Sequence, residues 1–307
     1  GSTSVNAIWP YSNQIDIAFS EFQKAKQIRN DAIRDGTHSN VSDPFIKYLN
    51  NGKKIQIVGN PNLARVKTIM IGIRNPKKLS IQSDDDGLTK CGEIWVNELR
   101  LTDFDEYGGW AANSRITTRL ADFGTLTFAG SMSTIGFGSI EKKINERQRV
   151  NAYQYDISST FELGKFFPED YGIKIPMYIG VSEAIENPQY NPLDPDILFE
   201  NTLETLDTKF EKDSLKFIVQ DYVKRKSINF TNVRKMPNLK KVKGKVNKSK
   251  KAKIYDIENF SVSYSFNETF IRNINTAYNL TKIYRGALTY NYHTNPKNIK
   301  PFAKMNL

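Results

Sequence analysis

The chain has 307 residues, of which 39% are hydrophobic and 12% aromatic, and its formal net charge is +11. This length suffices for one large domain or two ordinary ones. No apolar run reaches the length of a transmembrane helix, and residues 1–10 lack the basic start and apolar core of a signal peptide. The abundance of Tyr and Phe favours β structure with one wet face.

The first predicted elements are a short strand at residues 14–19 and a helix that follows it directly. Ser20 and Gln23 have the spacing of a capping box, and apolar residues then recur at intervals of three and four. Gly36 supplies a left-handed stop. The pattern therefore predicts a packing helix of about four turns.

Residues 45–105 are a series of short β-branched runs separated by turn residues, a pattern typical of a sandwich. The runs are 54–59, 64–73, 79–82 and 93–102. We therefore expect residues 1–106 to form part of a jelly-roll-like β-sandwich with one helix.

Two sites in this part of the chain are candidates for ligand binding. Asp84, Asp85 and Asp86 are weak candidates for Ca²⁺ ligands, because adjacent acids lack the alternating spacing of a calcium loop and Asp86-Gly87 is first a turn signal. Trp95 is a candidate sugar-binding platform, although packing in the sandwich core is the favoured interpretation.

After residue 107 the strands become longer, roughly 10 to 13 residues of alternating apolar and polar side chains, against about 5 to 6 in soluble proteins. The first two form a hairpin through residues 122–124. About seven such strands are expected, so residues 107–307 are assigned to antiparallel strands of a large outer-membrane β-barrel. A helical and loop insertion near 187–225, with a helix across 200–222, and a lysine-rich loop at 238–253 interrupt them.

The predicted lipid-facing positions are the apolar members of two alternating runs. They are Phe260, Val262, Tyr264 and Phe266 in one run and Tyr284, Leu288, Tyr290 and Tyr292 in the other. Lys282 shares a face with Tyr284 and would cost roughly 2–4 kcal/mol at the bilayer midplane, which places it at or beyond the edge of the lipid band. Pro176 lacks an amide donor and is expected at a bulge or an edge. Seven strands do not close such a barrel, so either other chains supply the rest or the sequence is an excerpt of a longer protein.

Ten Lys or Arg residues fall between Arg234 and Lys253. Within this segment Lys248, Lys250 and Lys251 are candidate contacts for lipid head groups, and a solvated charge run is the alternative. The lysine-rich loop, residues 238–253, contains no aromatic residue to stack on bases, so no nucleic-acid partner is expected.

The sequence predicts neither an enzyme nor a cofactor site. His38 and His293 are the only histidines, and no nucleophile, phosphate-loop or metal motif accompanies them. A pair of carboxylates drawn from residues 93–105 would suit a glycosidase, but such pairs occur on any protein surface.

Several ordered blocks carry a resemblance to a known family. They are EIWVNELRLTDFD at 93–105, GGWAA at 108–112, LADFG at 120–124, EAIENPQYNPLDPD at 183–196, YDIENFSVSYS at 255–265 and YRGALTYNY at 284–292. On these blocks the chain resembles the SprA (also called Sov) family, the outer-membrane translocon of the type IX secretion system. The lysine-rich loop is more basic than the family would lead us to expect.

The resemblance implies a section of a giant single-chain barrel at the bacterial outer membrane or cell surface, linked to secretion and gliding motility. It also implies as partners outer-membrane lipid, secreted cargo proteins with C-terminal sorting domains, a shuttle β-barrel and a periplasmic plug protein. Two alternatives stay open: a carbohydrate-binding cell-surface module, which needs Trp95 exposed beside polar groups, and an outer-membrane porin or transporter.

Overall fold

The computed structural model describes residues 14–50, 52–73, 108–143, 146–237 and 253–292, with residues 4 and 10 and shorter pieces at 88–89, 91–93, 95–103, 241–242 and 245–246. The chain divides into two compact units. Unit 1 contains residues 1–108 and 193–205, and unit 2 contains residues 109–192 and 206–307. In the described part of the chain, no helix combines the length and apolarity needed to cross a membrane.

Unit 1 is built around one helix and one hairpin. Helix α1 spans Phe19–Arg34, and strands β1 (Phe45–Tyr48) and β2 (Lys54–Ile57) pair antiparallel. Ala25 of α1 packs on Ile55 and Ile57 of β2 to form a small core. A short helix, α2, covers Phe199–Glu204.

A buried ion cluster ties the segment 193–205 to α1. The Lys26 ammonium, 3% exposed, lies 2.7 Å from the Asp194 carboxylate and 3.6 Å from that of Asp196. It also donates hydrogen bonds to the carbonyls of Pro61 and Pro195, at 2.9 and 2.8 Å. The cation is thus fully paired, as a buried charge must be.

The predicted helix is confirmed, but its predicted beginning is wrong. Ala18 occupies the N-cap without a side-chain hydrogen bond, so Ser20 lies inside the helix and forms no capping box. Residues 14–18 are not a strand. Gly36, with φ of +74°, does follow the helix in the left-handed conformation that glycine favours.

The predicted strands at 64–73 and 93–102 are also wrong. Residues 63–65 form a 3-10 helix, while residues 66–73 and the described residues of 93–102 adopt no regular structure. β-Branched residues form strands only where a neighbouring strand accepts their backbone hydrogen bonds, and no such neighbour is present in the described part of unit 1. The run at 79–82 lies outside the described residues.

Unit 2 is an antiparallel sheet of seven long strands and one short one. The long strands are β3 (Ala111–Leu120), β4 (Gly124–Ser133), β5 (Val150–Glu162), β7 (Pro176–Pro188), β8 (Asp221–Lys235), β11 (Phe260–Asn273) and β12 (Thr276–Tyr290). Each long strand pairs with the next long strand of the chain, so β3 and β12 form the two edges. The short strand β6 (Ile173–Lys174) pairs with β8. Strands β9 (Lys241–Val242) and β10 (Lys245–Val246) form a small separate hairpin.

The mainly β, antiparallel prediction and the number of long strands are confirmed. Pro176 begins β7 after the break that separates it from β6, as its missing amide requires. The single helix predicted across 200–222 is wrong: α2 ends at Glu204, and a second helix, α3, spans Lys209–Val219. Thr208 starts α3 through a capping box with Glu211, which the sequence Thr-Lys-Phe-Glu already encodes.

Candidate functional site

The strand register of unit 2 sorts its side chains onto two faces, because successive residues of a strand point to opposite sides of a sheet. The apolar face is defined by cross-strand neighbours that are mostly aliphatic or aromatic: Ile116, Phe128, Ile157 and Val181 in one row, Leu126, Ile179, Ile228, Phe266 and Tyr284 in a second, and Leu120, Phe161, Met177, Phe230 and Tyr264 in a third.

The opposite side, called the polar face, carries mostly small polar residues and some charges. Examples are Thr117, Thr127, Ser158, Ser182, Arg225, Asn267, Arg285 and Thr289. An antiparallel sheet with one apolar and one polar face can contact a nonpolar medium on the first face and water on the second.

Most of the residues predicted to face lipid lie together on the apolar face. Phe260 is opposite Tyr290, Val262 opposite Leu288, and Phe266 opposite Tyr284, while Tyr264 is opposite Gly286. Tyr292 follows the end of β12. Leu288 is 70% exposed and Tyr284 61%, so the sheet itself leaves this surface uncovered.

Aromatic contacts on the apolar face of β11 lie near both ends, and a further pair, Phe266 with Tyr284 at 5.0 Å, lies between them. At the start of β11 the rings of Phe260 and Tyr290 are 5.0 Å apart. Towards its end Phe270 contacts Tyr222 at 5.9 Å and Tyr278 at 5.4 Å. Phe260 and Phe270 are ten residues apart, which is about 34 Å along a strand and about 26 Å across a membrane for a strand tilted by about 40°.

A line of ion pairs crosses the apolar face beside the second aromatic cluster. Glu268 lies 3.1 Å from Lys226 and 3.6 Å from Lys282. On the neighbouring strands Glu183 pairs with Lys224 and accepts a hydrogen bond from the Tyr155 hydroxyl. We call these five charged residues, Lys282, Glu268, Lys226, Lys224 and Glu183, the charged line.

The charged line runs obliquely over the sheet. Lys224 and Glu183 lie one pleat, or two residues, away from the row of Lys226 and Glu268. From β11 to β7 the line therefore shifts about 7 Å along the strands over about 10 Å across them. Over all four strands, from β12 to β7, the line is inclined by about 25° from the perpendicular to the strands, because Lys282 shares the row of Glu268. In a barrel, a belt of constant depth is inclined in this way by the strand tilt of about 35–45°.

Sequence reasoning identified Lys282 but missed the rest of the charged line. The alternating run of Phe260 to Phe266 stops just short of Glu268, whereas β11 includes Glu268 and β8 includes Lys226. Extending the alternation to Glu268 would have placed this residue on the face of Phe266.

An ion pair joins two connections at the other end of the sheet. Lys165 Nζ lies 2.6 Å from the Asp122 carboxylate, and Phe123 packs on Phe161 and Phe166 at 5.3 and 5.1 Å. The hydrogen bond from Lys165 lowers the pKa of Asp122, and the same contact raises the pKa of Lys165. The pair fixes the turn after β3 against the connection after β5.

The other predicted sites do not come together. Asp84, Asp85 and Asp86, and likewise Lys248, Lys250 and Lys251, lie outside the described residues. Among the residues that are described, no three His, Cys, Asp or Glu side chains form a group suited to a metal ion. Trp95 is 79% exposed, so the interpretation of Trp95 as a core residue is wrong. The described residues on either side of it, 91–93 and 96–103, form no strand.

Comparison with known proteins agrees with the sequence resemblance. No curated protein matches the chain. The SprA_N family model, described as motility related/secretion protein, matches residues 1–203, about two thirds of the 307 residues. The resemblance to the SprA family is therefore confirmed, and this chain belongs to the SprA_N family of motility-related and secretion proteins.

Proposed function

We propose that unit 2 is a section of the wall of a protein-conducting β-barrel in the bacterial outer membrane, serving type IX secretion. The family places the chain among secretion and motility proteins, which is compatible with the cell envelope. The observation that carries the proposal is the apolar face, whose two outer aromatic clusters are about 26 Å apart, with the charged line just inside the second cluster. Outer-membrane barrels have an outward apolar band of about 25 Å between two aromatic girdles.

In this proposal the apolar face contacts lipid and the polar face lines the pore. Small hydroxyl and amide side chains such as Thr127, Ser158 and Asn267 offer a passing protein many weak contacts and no deep apolar binding site. Cargo proteins with C-terminal sorting domains are the proposed passengers, with a shuttle β-barrel and a periplasmic plug protein as the proposed partners.

Two neighbouring residues near the middle of β11 provide a test with a matched control. Tyr264 lies on the apolar face and Ser265 on the polar face. Tyr264→Arg places a charge near the bilayer midplane, at a cost of about 2–4 kcal/mol, whereas Ser265→Arg faces water in the pore. We expect the first variant to lose heat-modifiable protein from outer membranes and to stop secretion of sorting-domain cargo.

Ser265→Arg is expected to assemble normally and to keep secreting. If the two variants behave alike in membrane assembly, the assignment of the two faces is wrong. Normal assembly of both together with unchanged secretion after deletion of the protein would overturn the translocon role instead.

A second candidate function rests on Trp95. Its 79% exposure meets one requirement of a sugar-binding module on the cell surface. Retention of the purified protein on surface polysaccharide, abolished in Trp95→Ala, would favour that function over secretion.

A further inference from the structure

Helix α3 has apolar side chains on two opposite sides. Val219 is buried and Leu215 is half-buried. On the other side Phe210, Phe217 and Ile218 are 81%, 51% and 47% exposed. They share one stripe, because residues seven and eight apart lie on the same side of a helix.

The end of α3 meets the apolar face at Arg272. This residue shares the face of Glu268 and Phe270, since it is opposite Tyr222 in the register. Its guanidinium stacks over the rings of Phe217 and Tyr222, at 4.4 and 4.9 Å, and donates a hydrogen bond to the carbonyl of Phe217. Stacking and hydrogen bonding together hold the last turn of α3 against the end of β11.

The order of residues along β11 indicates at which level of a lipid bilayer α3 would lie. Four apolar residues, from Phe260 to Phe266, are followed by Glu268 of the charged line, then by Phe270 of the aromatic cluster, and finally by Arg272. In a membrane protein an apolar band ends at an aromatic girdle at the level of the head groups, and charges cost little close to that boundary. By this order, α3 lies at the level where the lipid head groups begin.

From this order we infer that α3 is an interfacial helix, whose stripe of Phe210, Phe217 and Ile218 lies in the boundary between acyl chains and lipid head groups. Lipid is the occupant that fits, because the stripe continues the apolar face through the Arg272 contact. Charged residues border the stripe, Lys209 and Asp213 on one side and Glu211 on the other, as the polar face of an interfacial helix requires. The inference rests on the proposed lipid contact of the apolar face.

Depth-dependent fluorescence quenching in outer-membrane vesicles tests the inference on the whole protein. The background is Cys91→Ser, because Cys91 is exposed and would react with the probe. Single cysteines for an environment-sensitive dye are introduced as Phe210→Cys in the stripe, Lys209→Cys on the flank and Val262→Cys on the apolar face. Val262 is 49% exposed and far from the charged line along β11.

We expect the dye at position 210 to be quenched several-fold more strongly by lipids spin-labelled near the head group than by aqueous iodide. At position 209 iodide is expected to be the stronger quencher. At position 262 lipids spin-labelled in the acyl chain are expected to quench and iodide to have little effect.

If iodide quenches positions 209 and 210 equally while position 262 still responds to lipid, α3 is not interfacial and the wall proposal survives. If position 262 also responds to iodide alone, the lipid contact of the apolar face fails, and the inference about α3 fails with it.

Discussion

Glu183 binds two groups on the apolar face, the ammonium of Lys224 and the hydroxyl of Tyr155. The Glu183 side chain is 13% exposed and that of Lys224 33%, so loss of Glu183 would leave a partly desolvated ammonium without its counter-charge. Charge-assisted hydrogen bonds in such places contribute about 1.5–3 kcal/mol each. Pairing within the charged line therefore limits the cost of placing charges on the apolar face.

Glu183→Ala is predicted to lower the temperature at which the membrane-extracted protein loses its heat-modifiable form, because Lys224 and Tyr155 both lose their acceptor. Glu186→Ala is the matched control on the same strand, since Glu186 lies on the polar face. The measurement is the unfolding midpoint by gel shift. Equal midpoints for the two variants would show that the charged line adds nothing to stability.

Glu21 provides a pH-dependent contact in unit 1. The hydrogen bond from Lys47, at 2.8 Å, and a second from Lys24 lower the pKa of Glu21 below its ordinary value of 4.5. A carboxyl with a lowered folded-state pKa stabilises the fold above its unfolded-state pKa, and this contribution disappears as the pH falls through the folded-state value.

We therefore predict that Glu21→Gln reduces the resistance of the α1–β1 region to limited proteolysis near neutral pH, and that the difference from the unaltered protein vanishes in acid below the ordinary carboxyl range. Digestion at a series of pH values measures this. Asp35→Asn, at the exposed end of α1, is the control. A difference that persists unchanged in strong acid would contradict the assignment to Glu21.

At the scale of elements, α1 and the segment 193–205 depend on the buried Lys26. Lys26→Ala leaves the carboxylates of Asp194 and Asp196 together without their cation, a change that costs about 3–5 kcal/mol in buried pairs. Lys24→Ala on the same helix removes an exposed ion pair, worth about 0–1 kcal/mol.

The predicted outcome is early proteolytic cleavage at residues 193–205 in Lys26→Ala and an unchanged pattern in Lys24→Ala, read by mass spectrometry of timed digests. Cleavage at the same rate in both variants would mean that the cluster does not hold the segment in place.

The elements that sequence analysis predicted well are those whose pattern and hydrogen-bond partners agree. The alternation of β5 and β11 fixes both strand and face, because each lies between two neighbours. Residues 64–73 carry the same residue types, but no strand in the described part of the chain pairs with them. Their pattern therefore predicted a strand that does not form. The charged line was missed because a single charge at a strand end is indistinguishable in sequence from the start of a loop; only the register shows that Glu268 faces two lysines.

At the scale of the whole molecule, the edges β3 and β12 are the feature that most constrains the proposal. Each presents a row of backbone groups that the sheet of unit 2 leaves unpaired in its described residues. Unpaired backbone groups are too costly in lipid, so the proposed wall requires further strands at both edges.

In the protein extracted from outer membranes, the outward-pointing amides of β12 are predicted to exchange with deuterium as slowly as those of β11. Local hydrogen-exchange mass spectrometry over the two strands tests this. Rapid exchange confined to alternate residues of β12 would identify a free edge and contradict the barrel wall.

The meander order of unit 2 also bears on how such a wall comes into being. Each long strand pairs with the next long strand of the chain, so a strand can pair as soon as the preceding one is in place. The entropic cost is then that of closing the single connection between the two strands. Growth can therefore proceed one hairpin at a time, in the order of synthesis, with no strand waiting for a distant partner. During such growth, the strand added last provides the edge on which the next strand of the chain pairs.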